Sequence, residues 1–478
     1  MLFNSIDFAI FLPLVFLLYW FVFNKSLKLQ NILILVSSYI FYGWWDWRFL
    51  ILIFTSSLID FVIGLKLKKE ENINRRKLYL LISIFANLGL LGFFKYYNFF
   101  VDSFTMAFSF FGYQINDYNL NIILPVGISF YTFQTMSYIF DIYKRKLEPT
   151  NNIINFLAFV SFFPQLVAGP IERAINLLPQ FNKKREFDFI YASDGLRQIL
   201  WGFVKKILIA ENCGTYINPI FADYQDHTGS TILFASIIFG FQIYCDFSGY
   251  SDIAIGTAKL FGFDLMQNFA YPFFSRNISE FWRRWHISLT TWFRDYIYFP
   301  LGGSRGNKLS IIRNTFIVFL VSGFWHGPAW TYVIYGALNG AYFLPIILKK
   351  TKTDYIGIIA QDTFFPNLKE FSLMLFNIYA IGYLWMMFRA ENLNHALSMY
   401  KTVFSLSLFY KIDTFNPKVL IILSFFLGLE WIGRKYDCPL HILNNVNIFY
   451  RWIIYVLLIL SVFYFGNFNE NEFIYFQF

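Results

Sequence analysis

The stretch Ser279-Glu-Phe-Trp-Arg-Arg-Trp-His-Ile-Ser-Leu-Thr-Thr-Trp-Phe-Arg-Asp-Tyr-Ile-Tyr-Phe-Pro-Leu-Gly-Gly303 is a charged, aromatic passage in the middle of a mostly apolar chain. Shortly after it, Phe324-Trp-His-Gly-Pro328 places one histidine in an apolar run. A bilayer interior penalises an ionisable side chain by about 3 kcal/mol or more, so those kept there are candidates for function. This contrast predicts a membrane protein whose chemistry lies in the central region.

The composition supports that class of protein. Of 478 residues, 57% are hydrophobic and only 14% are charged, and continuous apolar runs recur along the whole chain. Such runs indicate an all-α polytopic integral membrane protein, whereas the strands of a membrane β-barrel alternate. The net charge of +9 lies in short loops, which favours the positive-inside rule over binding of nucleic acid. The cysteines have neither metal-ligand spacing nor a disulfide framework, and no histidine pair has the spacing of a metal site.

Apolar runs predict twelve candidate spans, several of them shorter than the roughly 20 residues of a simple crossing. They are Phe8–Phe23, Asn31–Trp44, Phe49–Leu65, Leu78–Phe94, Asn121–Phe140, Gly195–Ala210, Thr231–Ile255, Ile311–Trp325, Ala329–Leu348, Phe371–Phe388, Val419–Ile432 and Trp452–Gly466.

Loop charges predict the sidedness of these spans. Basic loops are expected in the cytoplasm, and loops without basic residues outside it. The alternation works if Phe156–Pro170 is re-entrant, since prolines and a glycine break that segment. Both chain ends then lie outside. The basic loops are Lys25/Lys28, Lys66–Lys77, Lys144–Lys146, Lys183–Arg185, Lys349–Lys352 and Arg434/Lys435, and the others are Asp102–Asp117, Asp223–Asp226 and the tail Asn467–Glu472.

The arginines of the central passage are candidate anion ligands. As one continuous helix, the passage would place Trp282, Trp285 and Phe293 near one face and Arg283 on another. The loop Pro300–Arg305 follows, where backbone N–H groups and Arg305 could contact a phosphate-bearing donor. The alternative is an interfacial helix with aromatic belt residues and snorkelling arginines.

His326 is a candidate general base. Neutral imidazole can take a proton from an alcohol near neutral pH, and burial favours the neutral form. Gly327-Pro328 would end the helix beside the ring. The alternative is a histidine that only hydrogen-bonds neighbouring helices.

Two carboxylates lie in another long apolar run. Asp246 and Asp252 are expected to pair with arginines or to line a cavity. The sequence has no G-x-S-x-G motif and no phosphate-binding loop, which argues against a serine hydrolase and an ATP-driven pump.

Several motifs together resemble the membrane-bound O-acyltransferases, and within them the alginate O-acetyltransferase type. The resemblance extends over nearly the whole chain, and both histidines follow the family pattern. The motifs are Glu280-Phe-Trp-Arg-Arg-Trp-His286, Tyr296-Ile-Tyr-Phe-Pro-Leu-Gly-Gly303, Phe324-Trp-His326, Leu124-Pro-Val-Gly-Ile-Ser-Phe-Tyr-Thr-Phe-Gln134, Phe163-Pro-Gln-Leu-Val-Ala-Gly-Pro170 and Asp246-Phe-Ser-Gly-Tyr-Ser-Asp252.

The resemblance implies one integral-membrane domain over residues 1–478, with the signature region at about 242–328. It implies a ring of tilted helices with re-entrant segments around a central tunnel in the bacterial inner membrane. The position matching His326 is the catalytic one in that family, and the position matching His286 is the second family residue. Acetyl-CoA is the implied cytoplasmic donor substrate, without any cofactor or metal. The implied acceptor is a polysaccharide, acetylated directly or through a periplasmic partner, in a protein surrounded by membrane lipids.

These expectations define a candidate site and its rivals. His326 would activate the acceptor hydroxyl, and His286 would orient the acyl group or polarise its carbonyl. The donor- and substrate-binding candidates are Arg283, Arg284, Arg305, Trp285, Trp325 and Asp246. The rivals are a passive conduit for acyl groups, a scaffold that recruits a partner transferase, and transfer of D-alanine to teichoic acid.

Overall fold

The computed structural model describes residues 1–113, 118–167, 169–349, 355 and 357–468. Regular secondary structure within these ranges is helical, which confirms the all-α prediction. The described chain forms two compact units, Met1–Leu196 with Ala254–Met266, and Arg197–Ile253 with Gln267–Phe478.

The first unit is built from short and medium-length helices. Asparagine and serine side chains cap several of their first turns, as at Asn72 and Ser26. The helices are α1 (Ile6–Leu17), α2 (Leu27–Gly43), α3 (Phe49–Lys69), α4 (Ile73–Leu91), α5 (Tyr97–Phe110), α6 (Ile128–Tyr143), α7 (Ile153–Ser161), α8 (Phe163–Leu166) and α9 (Ala174–Leu177). Two further helices, α10 (Phe189–Phe203) and α12 (Gly229–Leu260), contribute residues to both units.

Two basic loops of the first unit lie against each other. Arg76 donates to the carbonyl oxygens of Leu67 and Ile142 at 2.5 and 3.2 Å, so one guanidinium caps the C-terminal ends of α3 and α6. Arg145 forms an ion pair with Glu71 at 2.5 Å. Contact between Lys66–Lys77 and Lys144–Lys146 requires both loops on one side of the membrane, as their charges predict.

The second unit contains the central passage and both candidate histidines. Its helices, besides parts of α10 and α12, are α11 (Glu211–Ala222), α13 (Ile278–Arg284), α14 (Ile287–Phe293), α15 (Lys308–His326), α16 (Trp330–Lys349), α17 (Leu368–Arg389), α18 (Leu393–Val403), α19 (Pro417–Gly433) and α20 (Ile448–Phe465). Two π-helical segments, Val204–Ala210 and Arg294–Tyr298, interrupt the α-helical geometry of this unit.

Within the described chain, seven helices are long and apolar enough to cross a membrane. They are Phe49–Lys69, Ile73–Phe110, Gly229–Leu260, Lys308–His326, Trp330–Lys349, Leu368–Arg389 and Ile448–Phe465. The multi-pass prediction is therefore confirmed, and several of the shorter predicted spans correspond to shorter helices such as α1 and α19. The predicted span Asn121–Phe140 is wrong at its start, because helix α6 begins only at Ile128, after the left-handed Gly127.

The break predicted within Phe156–Pro170 is present. Helix α7 ends at Ser161, Phe162 leaves the helical conformation, and the four-residue α8 follows at Phe163–Leu166. Phe162 and Phe163 are fully buried, as broken backbone at membrane depth requires. Parts of three predicted loops, residues 114–117, 350–352 and 469–472, lie outside the described residues.

Candidate functional site

A tight pair of helices sets the position of His326. A Cβ atom on Gly323 of α15 would lie 2.2 Å from the carbonyl oxygen of Tyr332, and one on Gly336 of α16 would lie 2.2 Å from that of Phe319. Only glycine allows the two backbones to approach so closely. The close approach fixes the end of α15, where His326 is the last helical residue, against α16.

The His326 ring is buried among aromatic rings. Its centroid lies 5.2 Å from that of Phe388, 6.3 Å from that of Tyr335 and 5.1 Å from that of its neighbour Trp325. Gly327 follows in extended conformation and ends the helix, so the predicted break beside the ring is confirmed. A Cβ atom at Gly327 would lie 2.4 Å from the Tyr332 ring, which explains the absence of a side chain there.

The central passage is not one helix, contrary to the sequence-based expectation. Helix α13 ends at Arg284, Trp285 is extended, and His286 takes left-handed angles of φ 44° and ψ 54° before α14 begins. A left-handed conformation costs an ordinary L-residue roughly 1–2 kcal/mol. The face of Trp282, Trp285 and Phe293 predicted for a continuous helix therefore does not exist.

The kink turns His286 into an apolar pocket. Its ring centroid lies 4.6 Å from that of Phe247, edge to face, and 5.7 Å from that of Trp325. Burial, and then the nearby His326, hold the pKa of His286 well below its usual value, so its imidazole is neutral at pH 7. The two buried imidazoles thus lie close enough to interact electrostatically, with the Trp325 ring next to both.

Arg284 is held by a buried carboxylate. Glu280 accepts from Arg284 at 2.9 Å and from Arg276 at 3.0 Å, and Arg276 also pairs with Glu370 of α17 at 2.7 Å. Such a network ties the short helix α13 to the start of α17. Arg284 is therefore already engaged, and its predicted contact with donor phosphates has to share the guanidinium with Glu280 and the Gly357 carbonyl.

Arg283 and Arg305 are more open to a ligand. Arg283 is exposed and donates to the Tyr355 carbonyl at 2.9 Å. Arg305 is exposed in a loop where Gly302, Gly303 and Gly306 all have positive φ. Asn314 of α15, fully buried, donates to the carbonyl oxygens of Leu301 and Gly303 and holds this loop on the same helix that ends in His326. The sharp loop is confirmed, and its phosphate contact stays a prediction.

Trp285 and Trp325 occupy different settings. Trp285 stacks on Phe281 at 5.2 Å and packs near Trp385 at 5.9 Å, which places it in the aromatic core. Trp325 instead contacts both histidine rings. Of the two, only Trp325 lies next to both imidazoles, and its contact with a substrate stays a prediction.

The buried carboxylates pair with lysines, not with arginines as expected. Lys206 binds Asp246 at 2.6 Å and Glu211 at 2.9 Å, and Lys205 binds Asp252. Both lysines belong to the π-helical segment Val204–Ala210, and all five side chains are largely buried. Asp246 is adjacent in sequence to Phe247, which packs on His286, so its ion pair fixes one wall of the histidine pocket.

An apolar cavity of about 800 Å³ lies elsewhere in the second unit. Its walls include Phe273, Phe274, Phe371, Leu427 and Trp431, and neither histidine lines it. This cavity is therefore not the predicted tunnel, which stays a prediction. Among the described residues, no group of three or more metal-ligating side chains is assembled.

Sequence reasoning missed a buried polar residue that bonds the chain at the His286 kink. Asn268, fully buried, contacts the backbone on the C-terminal side of His286. It also missed Tyr335 and Phe388, which pack on His326. Nothing in the local sequence singles out these residues, because their importance comes from contacts with distant segments.

One family and several known proteins match this chain. The model of MBOAT, the membrane-bound O-acyltransferase family, matches residues 143–387. A Pseudomonas aeruginosa protein described as probable alginate O-acetylase AlgI is 40% identical over 407 residues, covering 85% of this chain and 75% of its own. The peptidoglycan O-acetyltransferase of Helicobacter pylori is 33% identical over 442 residues, covering 85% and 80%. The teichoic acid D-alanyltransferase of Bacillus subtilis is 33% identical over 230 residues, covering 45% and 57%.

Proposed function

Because the chain belongs to the membrane-bound O-acyltransferase family, we propose that it transfers an acetyl group from a cytoplasmic thioester to a hydroxyl group of an extracytoplasmic polysaccharide. The family prediction made from the motifs is confirmed, and with it an O-acyltransferase activity in a multi-pass membrane protein. The observation that carries the proposal is the pair of buried imidazoles of His286 and His326 beside Trp325.

The two histidines can divide the chemistry of acyl transfer. His326 takes the proton from the acceptor hydroxyl as that oxygen attacks the thioester carbonyl. An N–H of His286 donates to the carbonyl oxygen, where negative charge develops in the tetrahedral intermediate. Collapse of the intermediate breaks the carbon–sulfur bond, and the leaving thiolate receives the proton held by His326. No net proton is gained or lost in these steps. The energy of the thioester bond drives the transfer.

Burial suits both roles. In a desolvated pocket, imidazole is kept neutral, which a base requires, and a hydrogen bond to an oxyanion is stronger than in water. The aromatic walls formed by Phe247, Phe388 and Trp325 exclude water that would hydrolyse the thioester.

Acetyl-CoA is the proposed donor, held through its phosphates by the exposed Arg283 and Arg305. Arg284, Trp285, Trp325 and Asp246 stay candidates for binding or shaping the same site. The acetylases of alginate and of peptidoglycan each match 85% of this chain, whereas the D-alanyltransferase matches 45% of it, which favours acetyl transfer. We place the protein in the bacterial inner membrane and propose that the acetyl group reaches the polysaccharide either directly or through a periplasmic partner.

The test is His326→Ala in cells that O-acetylate their polysaccharide. The variant should abolish base-labile acetate on the polysaccharide while the protein remains in the membrane. His395→Ala, which removes a histidine stacked on Tyr224 in another part of the unit, should leave acetylation unchanged. Full acetylation by a well-expressed His326→Ala variant would instead indicate a conduit or a scaffold.

A further inference from the structure

The left-handed backbone of His286 requires an external restraint. Unlike glycine, a histidine has a Cβ atom, so these angles carry a steric cost at His286. Strained conformations at functional sites persist only where surrounding contacts determine them. The question is which group supplies those contacts.

Asn268 makes a row of hydrogen bonds to the two residues that follow His286. Its backbone carbonyl oxygen accepts from the Ile287 N–H at 2.8 Å. Its side-chain Oδ1 accepts from the Ser288 hydroxyl at 2.9 Å and from the Ser288 N–H at 3.4 Å. The chain therefore cannot rotate at His286 without breaking bonds on one and the same partner.

A further backbone hydrogen bond holds the chain on the N-terminal side of the kink. Two residues beyond Asn268, the Ala270 N–H donates to the Arg284 carbonyl at 2.9 Å. The segment Asn268–Ala270 thus bonds the chain before and after Trp285 and His286. Phe269, between these two residues, has its ring centroid 6.3 Å from that of His286.

Asn268 is itself anchored. Its Nδ2 donates to the Ser251 hydroxyl of α12 at 3.0 Å, and both residues are almost completely buried. A satisfied buried amide of this kind is rigid, because any rotation would leave polar atoms without partners in a dry environment. Helix α12 also carries Phe247, which packs against the His286 ring. The same helix therefore anchors Asn268 and forms one side of the His286 pocket.

We propose that Asn268 is the positioning residue that holds the His286 imidazole in place for acyl transfer, an inference that rests on the proposed function of His286. It touches neither substrate nor reacting atoms in this role. Replacing its side chain removes the two bonds to Ser288 and the anchor to Ser251, and the backbone bonds to Ile287 and Arg284 then restrain the kink alone, so the His286 ring shifts within its pocket. A displacement of about 1 Å can cost on the order of 10²-fold in rate.

The first measurement reports His286 position without using activity. Purified full-length protein is treated with diethyl pyrocarbonate, and modification of His286 and His326 is quantified by mass spectrometry. Asn268→Ala should raise the modification rate of His286 severalfold and leave that of His326 unchanged. Asn377→Ala is the matched control, because Asn377 is an equally buried amide with bonds to Tyr342 and to the Ser275 carbonyl. Equal His286 reactivity in the Asn268→Ala and wild-type proteins would overturn the proposal.

The second measurement links the position to catalysis. Asn268→Ala should lower kcat by about tenfold to 10²-fold while the KM for acetyl-CoA stays within about twofold, since the base and the donor site remain. Combined with His286→Asn, it should have almost no additional effect, because both changes remove the same contribution. Fully additive losses would show a general structural role and overturn the proposal. Altered His286 labelling without any catalytic effect of His286 substitutions would sustain the positioning and refute the proposed function of His286 instead.

Discussion

The two histidine-bearing segments of the second unit reach similar burial by opposite means. His326 ends a regular helix, and glycine-mediated contact between α15 and α16 together with aromatic packing sets its place. His286 lies at a strained kink between two seven-residue helices, and hydrogen bonds from a distant segment hold it. The first arrangement depends on shape, and the second depends on polar contacts.

This difference matters for the division of labour. A base must exchange protons with a substrate that comes and goes, and the aromatic pocket at the end of α15 suits that exchange. A donor to an oxyanion must be fixed before the reaction begins, because preorganisation is what makes such a donor effective. The hydrogen-bonded kink at His286 suits the second task, and the helix end at His326 suits the first.

We expect the largest difference in activity between His326→Asn and His286→Asn. Asparagine retains an N–H donor but cannot accept and pass on a proton at neutral pH. We therefore expect His326→Asn to lose roughly 10²- to 10⁴-fold of the rate, the usual contribution of a general base. His286→Asn should keep measurable transfer and lose less than the roughly 10²- to 10³-fold that removal of an oxyanion donor costs. The assay is acetate released from the polysaccharide by mild base, at matched membrane expression.

The opposite ranking of those two variants would mean that the roles are exchanged. His326→Gln and His286→Gln serve as controls for side-chain length, since glutamine carries the same amide on a longer stem.

The next effect tests the shape-based placement of His326. In Gly336→Ala, the added methyl would meet the Phe319 carbonyl at 2.2 Å, so α15 and α16 must move apart. Overpacking of this kind typically costs about 1–3 kcal/mol, and we expect a lower Tm in detergent together with lower activity. Gly428→Ala is the matched control, because no atom lies within 4 Å of a Cβ there and alanine favours a helix. Equal Tm values for the two variants would contradict the close approach.

The two segments also differ in how far their sequences predict them. Gly327-Pro328 indicates the helix end beside His326, because proline lacks the N–H and fixes φ. Nothing in Trp285-His286-Ile287 indicates a left-handed residue, since its cost is offset by Asn268 through tertiary bonds. For the same reason the lysine partners of Asp246 and Asp252 could not be read from the sequence, because they come from a separate helix. The motifs therefore predict which residues form the candidate site, whereas contacts between distant segments determine how those residues are arranged.

A smaller effect distinguishes two exposed arginines from Arg284, which pairs with a buried carboxylate. Arg283→Ala and Arg305→Ala should each raise the KM for acetyl-CoA about fivefold, corresponding to roughly 1 kcal/mol for an exposed charge pair. Arg284→Ala should instead lower the Tm, because it removes one partner of the buried Glu280. Lys411→Ala, an exposed cation in another loop, is the control. An unchanged KM in both Arg283→Ala and Arg305→Ala would exclude these residues from donor binding.

The smallest effect concerns sidedness and leaves activity intact. The loop charges predict that α15 starts in the cytoplasm, on the side of the proposed donor, and that its His326 end faces the proposed acceptor. The native cysteines Cys213, Cys245 and Cys438 are buried, so single exposed cysteines can be added without removing them. We expect an impermeant maleimide to label Gln225→Cys in intact cells and to label Ser304→Cys only after permeabilisation. Labelling of Ser304→Cys from outside would show that α15 has the opposite orientation. The Arg305 loop would then lie outside the cell and could not bind a cytoplasmic donor.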